Sequence, residues 1–505
     1  MGARRTRDHD RPGPARQRPE GEPGDPVVTT RYGAVRGRTG ADGVRAFLGV
    51  PYAAPPYGPR RFRPPEPPEP WTGVRDAPAF GPTAPKPPYT PAFAVLLADP
   101  VVPGAGVLNL NVWTPPPGRD PDPAPVMVWI HGGALTRGTS AVPVYDGHAF
   151  ARDGVVLVSL NYRLGVEGFG LFPDAPANLG LRDQIAALEW VRDNVAAFGG
   201  DPGRVTVFGE SAGAISIAAL LTSPAARGLF HRAVLQSGAP AVLAPDTLRR
   251  TTRRIAARLK VPATARALAA VDPARLLAAQ HAATRRANPL TGGALFGLVA
   301  DGELLPRDPV DALADGAADG IGLLLGATTE EYRLWLAPTG ALRSLDRLAP
   351  ALPSLARLKY GCTRAMFDAY RRGRPGESPA EVLGAVATDA LLRLPLNRVA
   401  DAHPGRAHLY EFAWRSRVPG LGACHALELG FVFDTLDRPE SLSLSGPHPP
   451  RSLATAMHGA WVAFARTGEP GWEAWDARRP VMVYGEGEPR VVHAPREAER
   501  RLWRG

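Results

Sequence analysis

Cysteine is almost absent from this chain: only Cys362 and Cys424 occur in 505 residues. At most one disulfide can form, so a disulfide-stapled scaffold is excluded. Lysine is nearly as rare, at Lys86, Lys260 and Lys359 alone, so the net charge of +10 is carried by arginine. Outside the N-terminal tail those arginines are scattered through a chain rich in Ala, Gly and Pro, without a recognisable module, which argues against a nucleic-acid partner. No apolar run approaches the roughly 20 residues that span a bilayer. There is no His-Glu-x-x-His pattern and no cysteine pair at zinc spacing. Neither a membrane partner nor a metal or other cofactor is therefore expected. Residues 1–25 hold Arg, Pro and Gly without an apolar stretch. That composition predicts a disordered tail instead of a signal peptide, and with it a cytoplasmic location.

What the chain does contain is one Gly-x-Ser-x-Gly sequence, Gly209-Glu210-Ser211-Ala212-Gly213. A β-rich run, Arg204 to Phe208, precedes it and a helix-compatible run, Ala214 to Leu221, follows it. Strand, sharp turn and helix with serine at the apex make a nucleophile elbow, and the flanking glycines leave room for a turn too tight for Cβ atoms. Upstream, the apolar run Val126 to Ile130 leads into His131-Gly132-Gly133-Ala134. Small residues after a strand expose backbone amides, and the residue after the nucleophile supplies one more at a helix N-terminus. Gly133, Ala134 and Ala212 are the expected oxyanion donors.

In a sheet of this type the partners follow the nucleophile as acid and then histidine, each on a loop after a later strand. The run Ile321 to Gly326 reads as a buried parallel strand, and Glu330 and Glu331 lie in the loop that leaves it. Either can be the acid. Of the six histidines beyond, only His425 lies in a Gly-rich loop just past a strand, Ala407 to Trp414. His408 falls within that strand, while His403, His448, His458 and His493 have the polar or Pro-rich surroundings of surface positions. His425 is the expected base.

With these residues in place the chain resembles the type B carboxylesterases, the family of bacterial para-nitrobenzyl esterases, animal carboxylesterases and cholinesterases. The resemblance runs in order from about residue 27 to the end. It includes Phe47 to Ala53, Arg61 to Pro67 with Trp71, Leu110 to Pro115, Asn161 to Gly165, Asn178 to Gln184, Gln236 to Gly238, His425 to Glu428 and Phe464 to Pro470. It implies an α/β-hydrolase fold, a large mostly parallel sheet flanked by helices, over one catalytic domain from residue 26 to 505. It also implies a serine esterase that cleaves small to medium carboxylic esters through an acyl-enzyme on Ser211. The family pattern points to Glu331 as the acid, with Glu330 the alternative, and places Glu210 near the site, where it favours positive charge on His425.

Departures from the pattern fall around the pocket. Ala134 stands for a glycine, Leu135 for an aromatic and Tyr332 for a glycine beside the acid. Gly104 to Val107 replaces an acidic segment, which leaves Arg61 without its usual carboxylate. The segment Pro78 to Gly106 has little recognisable pattern. Leu135, Trp335 and Phe296 are candidate pocket walls. Helical stretches from Asp246 to about Leu295 and from Leu342 to Pro379 are candidate caps over the entrance, or plain surface helices. The same triad would also serve an acyltransferase, a thioesterase or a lactonase, whereas a non-catalytic binding module would have lost part of it. The sequence does not define the oligomeric state, and a monomer is compatible with it.

Overall fold

Along Ala124–Ile130 the side chains of Val126, Val128 and Ile130 enter one apolar cluster and those of Met127 and Trp129 another. Successive residues of a strand point to opposite faces, so a strand apolar at every position is covered on both sides. The computed structural model of the protein describes residues 24–118, 122–284 and 295–503. The expected tail, residues 1–25, lies outside these except for Gly24 and Asp25.

In chain order the strands are β1 (Val27–Thr30), β2 (Gly33–Arg36), β3 (Arg38–Thr39), β4 (Arg45–Pro51), β5 (Val74–Asp76), β6 (Asn109–Thr114) and β7 (Ala124–Ile130). They continue as β8 (Val156–Leu160), β9 (Gly200–Glu210), β10 (Arg232–Gln236), β11 (Gly322–Thr328), β12 (Ala407–Phe412), β13 (Pro480–Tyr484) and β14 (Arg490–His493). β1, β2 and β5 form a small sheet, and the other strands form an 11-stranded sheet in the order β14-β13-β12-β11-β10-β9-β7-β8-β6-β4-β3. From β8 through β13 every neighbouring pair in that order is parallel. Antiparallel strands close both edges.

Register then gathers the strand ends. Ile130 pairs with Gly209, Glu210 with Gln236, Gln236 with Gly326, and Thr328 with Phe412. The loops that leave β7, β9, β10, β11 and β12 therefore emerge along one edge, where open α/β sheets bind their ligands. Beneath that edge Trp129 lies 4.8 Å from Phe208 and 5.0 Å from Phe433, ring centroid to centroid. Each such buried side chain contributes about 1.5–3 kcal/mol relative to an exposed one.

Of the two candidate caps, only the first reaches the cavity described below, through His281 and Thr284 of helix Pro273–Thr284. No residue between Leu342 and Pro379 lines it. The helices there pack Leu352, Ala356, Phe367 and Tyr370 against Val382 and Val386 in a separate apolar cluster. Two surface expectations are also corrected. His458 is buried in helix Arg451–Thr467 with its ring 4.5 Å from Phe150, because the apolar stripe of that helix, including Met457 and Trp461, faces the sheet. His403 is half-buried and hydrogen-bonded to Ile321 O. Among the described residues no helix is long and apolar enough to cross a membrane.

Candidate active site

Ser211 stands between the last residue of β9 and the helix Ala212–Leu220, with φ of 56° and ψ of −120°. L-residues rarely adopt positive φ, and positions held there concentrate at functional sites. Neighbours enforce the conformation. The Ser211 N–H donates to Gln236 O at 2.9 Å. A Cβ on Gly213 would lie 2.0 Å from Ile130 O, and one on Gly209 2.7 Å from the same atom. Only glycine lets β7 and the elbow approach this closely.

The loop after β7 is shaped by the same crowding. A Cβ at Gly132 would meet Glu210 Oε2 at 2.7 Å and Ser211 Cβ at 3.2 Å. Gly133 has φ of 116°, and Ala134 and Leu135 follow in the left-handed region at 54° and 58°. The N–H groups of Gly133, Ala134 and Ala212 have no hydrogen-bond partner among the described residues. His131 anchors the loop from below. Its ring stacks on Tyr162 at 4.5 Å, and the Tyr162 hydroxyl donates to His131 O at 2.8 Å. Burial holds the His131 imidazole down to about 3, so the ring stays neutral and Nδ1–H donates to Gly132 O at 2.8 Å.

The two candidate acids part company in space. Glu331 is 1% exposed; its Oε1 accepts from the Thr328 N–H at 2.8 Å and its Oε2 lies 2.5 Å from His425 Nδ1. Glu330 faces away, paired with Arg333 at 2.6 Å and Arg415 at 2.9 Å. Its backbone N–H donates to Ala423 O and its Oε2 accepts from the Ala423 N–H, each at 2.9 Å, so it ties the acid loop to the histidine loop. Trp335 covers the imidazole with ring centroids 4.4 Å apart.

On its other side His425 meets a second carboxylate. Nε2 lies 2.7 Å from Glu210 Oε1, and both side chains are buried. The Ser211 hydroxyl makes no hydrogen bond to the ring in this arrangement. Burial alone would lower the His425 pKa, but Glu210 and Glu331, by charge and by hydrogen bonding, outweigh it and hold the imidazole well above its ordinary value. A third acid, buried Glu428, stands nearby, with Oε1 accepting from Gln236 Nε2 at 3.3 Å. Burial, then the charges of Glu210 and Glu331, push its carboxyl up to about 8. Nothing in its local sequence marked it beyond the segment it shares with His425.

Ser211, Ala134, Ala212 and His425 border a cavity of about 990 Å³, which Leu135, Phe296 and Trp335 also line. The segment without recognisable pattern supplies a wall through Tyr89, Phe93 and Leu97. That wall is fixed by Lys86, which is buried against Asp99 and donates to Pro100 O at 2.9 Å. Arg61, expected to lack a carboxylate, is paired with Glu167 at 2.6 Å. The partner comes from helix Gly165–Phe169 instead of the segment Gly104 to Val107.

A mostly parallel sheet that raises a serine on a strand-turn-helix elbow, with an acid and a histidine on loops after later strands, defines an α/β-hydrolase of the serine type. Comparison with known proteins makes this specific. The family model for the carboxylesterase family matches residues 24–493. The para-nitrobenzyl esterase of Bacillus subtilis (strain 168) is 39% identical over 464 residues, spanning 89% of this chain and 92% of that protein. The phenmedipham hydrolase of Pseudarthrobacter oxydans is 37% identical over 491 residues, 91% of this chain and 95% of its own length. Among solved structures, a Geobacillus stearothermophilus carboxylesterase superposes with a TM-score of 0.82 at 37% identity, covering 94% of this chain and 99% of its own. The chain belongs to the carboxylesterase family, and it is a carboxylic-ester hydrolase acting on small-molecule esters.

Proposed function

We propose that Ser211 is the nucleophile, His425 the general base and Glu331 the acid that orients it, with Gly133, Ala134 and Ala212 donating to the oxyanion. Small to medium carboxylic esters are the proposed substrates. The observation that carries this reading is the 2.5 Å contact of Glu331 with His425 Nδ1 at the cavity that Ser211 and the free amides border. A single catalytic domain over residues 26–505 and a cytoplasmic location belong to the same reading and rest on the sequence.

The resting geometry suggests how the base is primed. A ring nitrogen 2.7 Å from a carboxylate oxygen must carry a proton between them, so in this arrangement His425 is an imidazolium donating to both Glu331 and Glu210. Loss of the Nε2 proton turns that contact into repulsion between a lone pair and a carboxylate, and it frees Nε2 for Ser211. Catalytic hydrogen bonds often tighten only when substrate is bound. Nε2 then takes the Ser211 proton as Oγ bonds to the ester carbonyl carbon. The oxyanion forms against the three N–H groups, and collapse breaks the carbon–oxygen bond to the alcohol, which leaves with the proton from Nε2. Water attacks the acyl-enzyme by the same path.

The test is hydrolysis of para-nitrophenyl esters from acetate to decanoate, with organophosphonate labelling located by mass spectrometry. Turnover with a single adduct on Ser211 is the expected result. An adduct on another residue overturns the assignment.

A further inference from the structure

Arg137 belongs to the turn that shapes the oxyanion loop. Its N–H donates to Gly133 O at 3.1 Å, and its own carbonyl oxygen occupies the place of a Gly133 Cβ, which would lie 2.2 Å away. The side chain is half-buried, lines the cavity and lays its guanidinium 4.4 Å from the Tyr89 ring centroid. Among the described residues of the lining it is the sole lysine or arginine, and no carboxylate pairs with it.

Its situation differs from that of the other buried cations. Arg61 is paired with Glu167, Lys86 with Asp99 and Arg163 with Asp183. A cation partly withdrawn from water without a counter-ion loses hydration that the face of Tyr89 replaces only in part. Of the two acids in the lining, Glu210 is committed to His425, and Glu440 comes from the separate helix Pro439–Ser445. The guanidinium therefore has donors to spare in the cavity, in a geometry suited to a carboxylate. Because Arg137 follows Ala134 by three residues in a closed turn, its charge is tethered to the loop that positions the scissile carbonyl.

We infer that Arg137 selects esters that carry a second, anionic carboxylate, on the acyl or the alcohol portion, a few bonds from the scissile carbonyl. This deepens the proposed function and rests on the cavity being the ester site. The chemistry is unchanged by the selection: the second carboxylate binds and is released intact with its half of the product.

Substrate pairs matched in skeleton but differing by one carboxylate test it. For the acyl side these are the para-nitrophenyl monoesters of glutaric and adipic acid against para-nitrophenyl valerate and hexanoate. For the alcohol side they are 4-acetoxybenzoate against phenyl acetate. In Arg137→Gln, kcat/KM for the anionic member of one pair is expected to fall about tenfold to a hundredfold, with its neutral partner within about twofold. The side on which the fall occurs assigns the carboxylate. Arg137→Lys should restore part of the loss, and raised ionic strength should shrink the wild-type preference. An anionic-to-neutral ratio identical in wild type and Arg137→Gln for every pair overturns the inference, as does an equal fall for both members, which would give Arg137 only a structural part in the loop. No turnover of any ester, anionic or neutral, in the wild type would instead overturn the reading of the site itself.

Discussion

His425 Nε2 lies 2.7 Å from Oε1 of Glu210, the residue immediately before the elbow serine. The contact ties the proposed base to the strand that carries the proposed nucleophile, and it places a carboxylate against the imidazole. Burial lowers the pKa of the ring, and the two carboxylates more than reverse this. A base must be neutral to accept a proton, so activity is lost as pH falls through that raised value. Glu210→Gln removes one of the two charges. The acid limb of kcat/KM is expected to move to lower pH by about one unit or more. A pH profile of the two enzymes checks this, and a limb that stays in place or moves upward would refute the role given to Glu210.

Ser211→Ala should lower kcat by about 10⁴-fold or more while leaving the melting temperature close to that of the wild type. Turnover of para-nitrophenyl butyrate beside a thermal melt separates the two effects.

Glu331→Gln should cost far more activity than Glu330→Gln. The first removes the charge that fixes the imidazole tautomer, a loss on the order of 10⁴ in comparable triads. The second weakens contacts with Arg333, Arg415 and the Ala423 N–H, worth about 1–3 kcal/mol of stability. Steady-state kinetics and denaturant titration of both variants are the measurement; the opposite order would move the acid to Glu330.

Asp183→Ala should destabilise the protein by about 3–5 kcal/mol. Asp183 is fully buried and accepts from the Arg163 backbone N–H at 3.0 Å, Nε at 2.8 Å and a terminal nitrogen at 2.6 Å, so its loss strands a buried guanidinium. Urea unfolding checks the magnitude, and a change under 1 kcal/mol would show that the pair is dispensable.

The strand-turn-helix around Ser211, the glycine loop after β7 and the place of His425 beyond β12 were legible because each combines a strand pattern with residues that few other contexts require. Glu331 and Glu330 were not separable from spacing, since adjacent residues in a loop differ only in which way the backbone turns them. The family pattern chose between them. The wall formed by Tyr89 and Phe93 was opaque because an extended Pro-rich segment has no periodicity to read. Arg61 misled for a related reason: its counter-ion, Glu167, is 106 residues distant in sequence. His458 misled because its own polarity was read as exposure, although Met457, Ala460 and Trp461 around it belong to the apolar stripe of a 17-residue helix.

The 2.0 Å separation between Ile130 O and a would-be Cβ at Gly213 couples two parts that loops alone would leave independent. The elbow and the start of the oxyanion loop are seated on adjacent strands, β9 and β7, so their spacing is a property of the sheet. The walls that decide which ester enters come from other segments. Rate and selectivity can therefore be varied separately: a library that randomises Tyr89, Phe93 and Phe296, which line the cavity away from both loops, explores new substrates while the reaction frame is inherited unchanged.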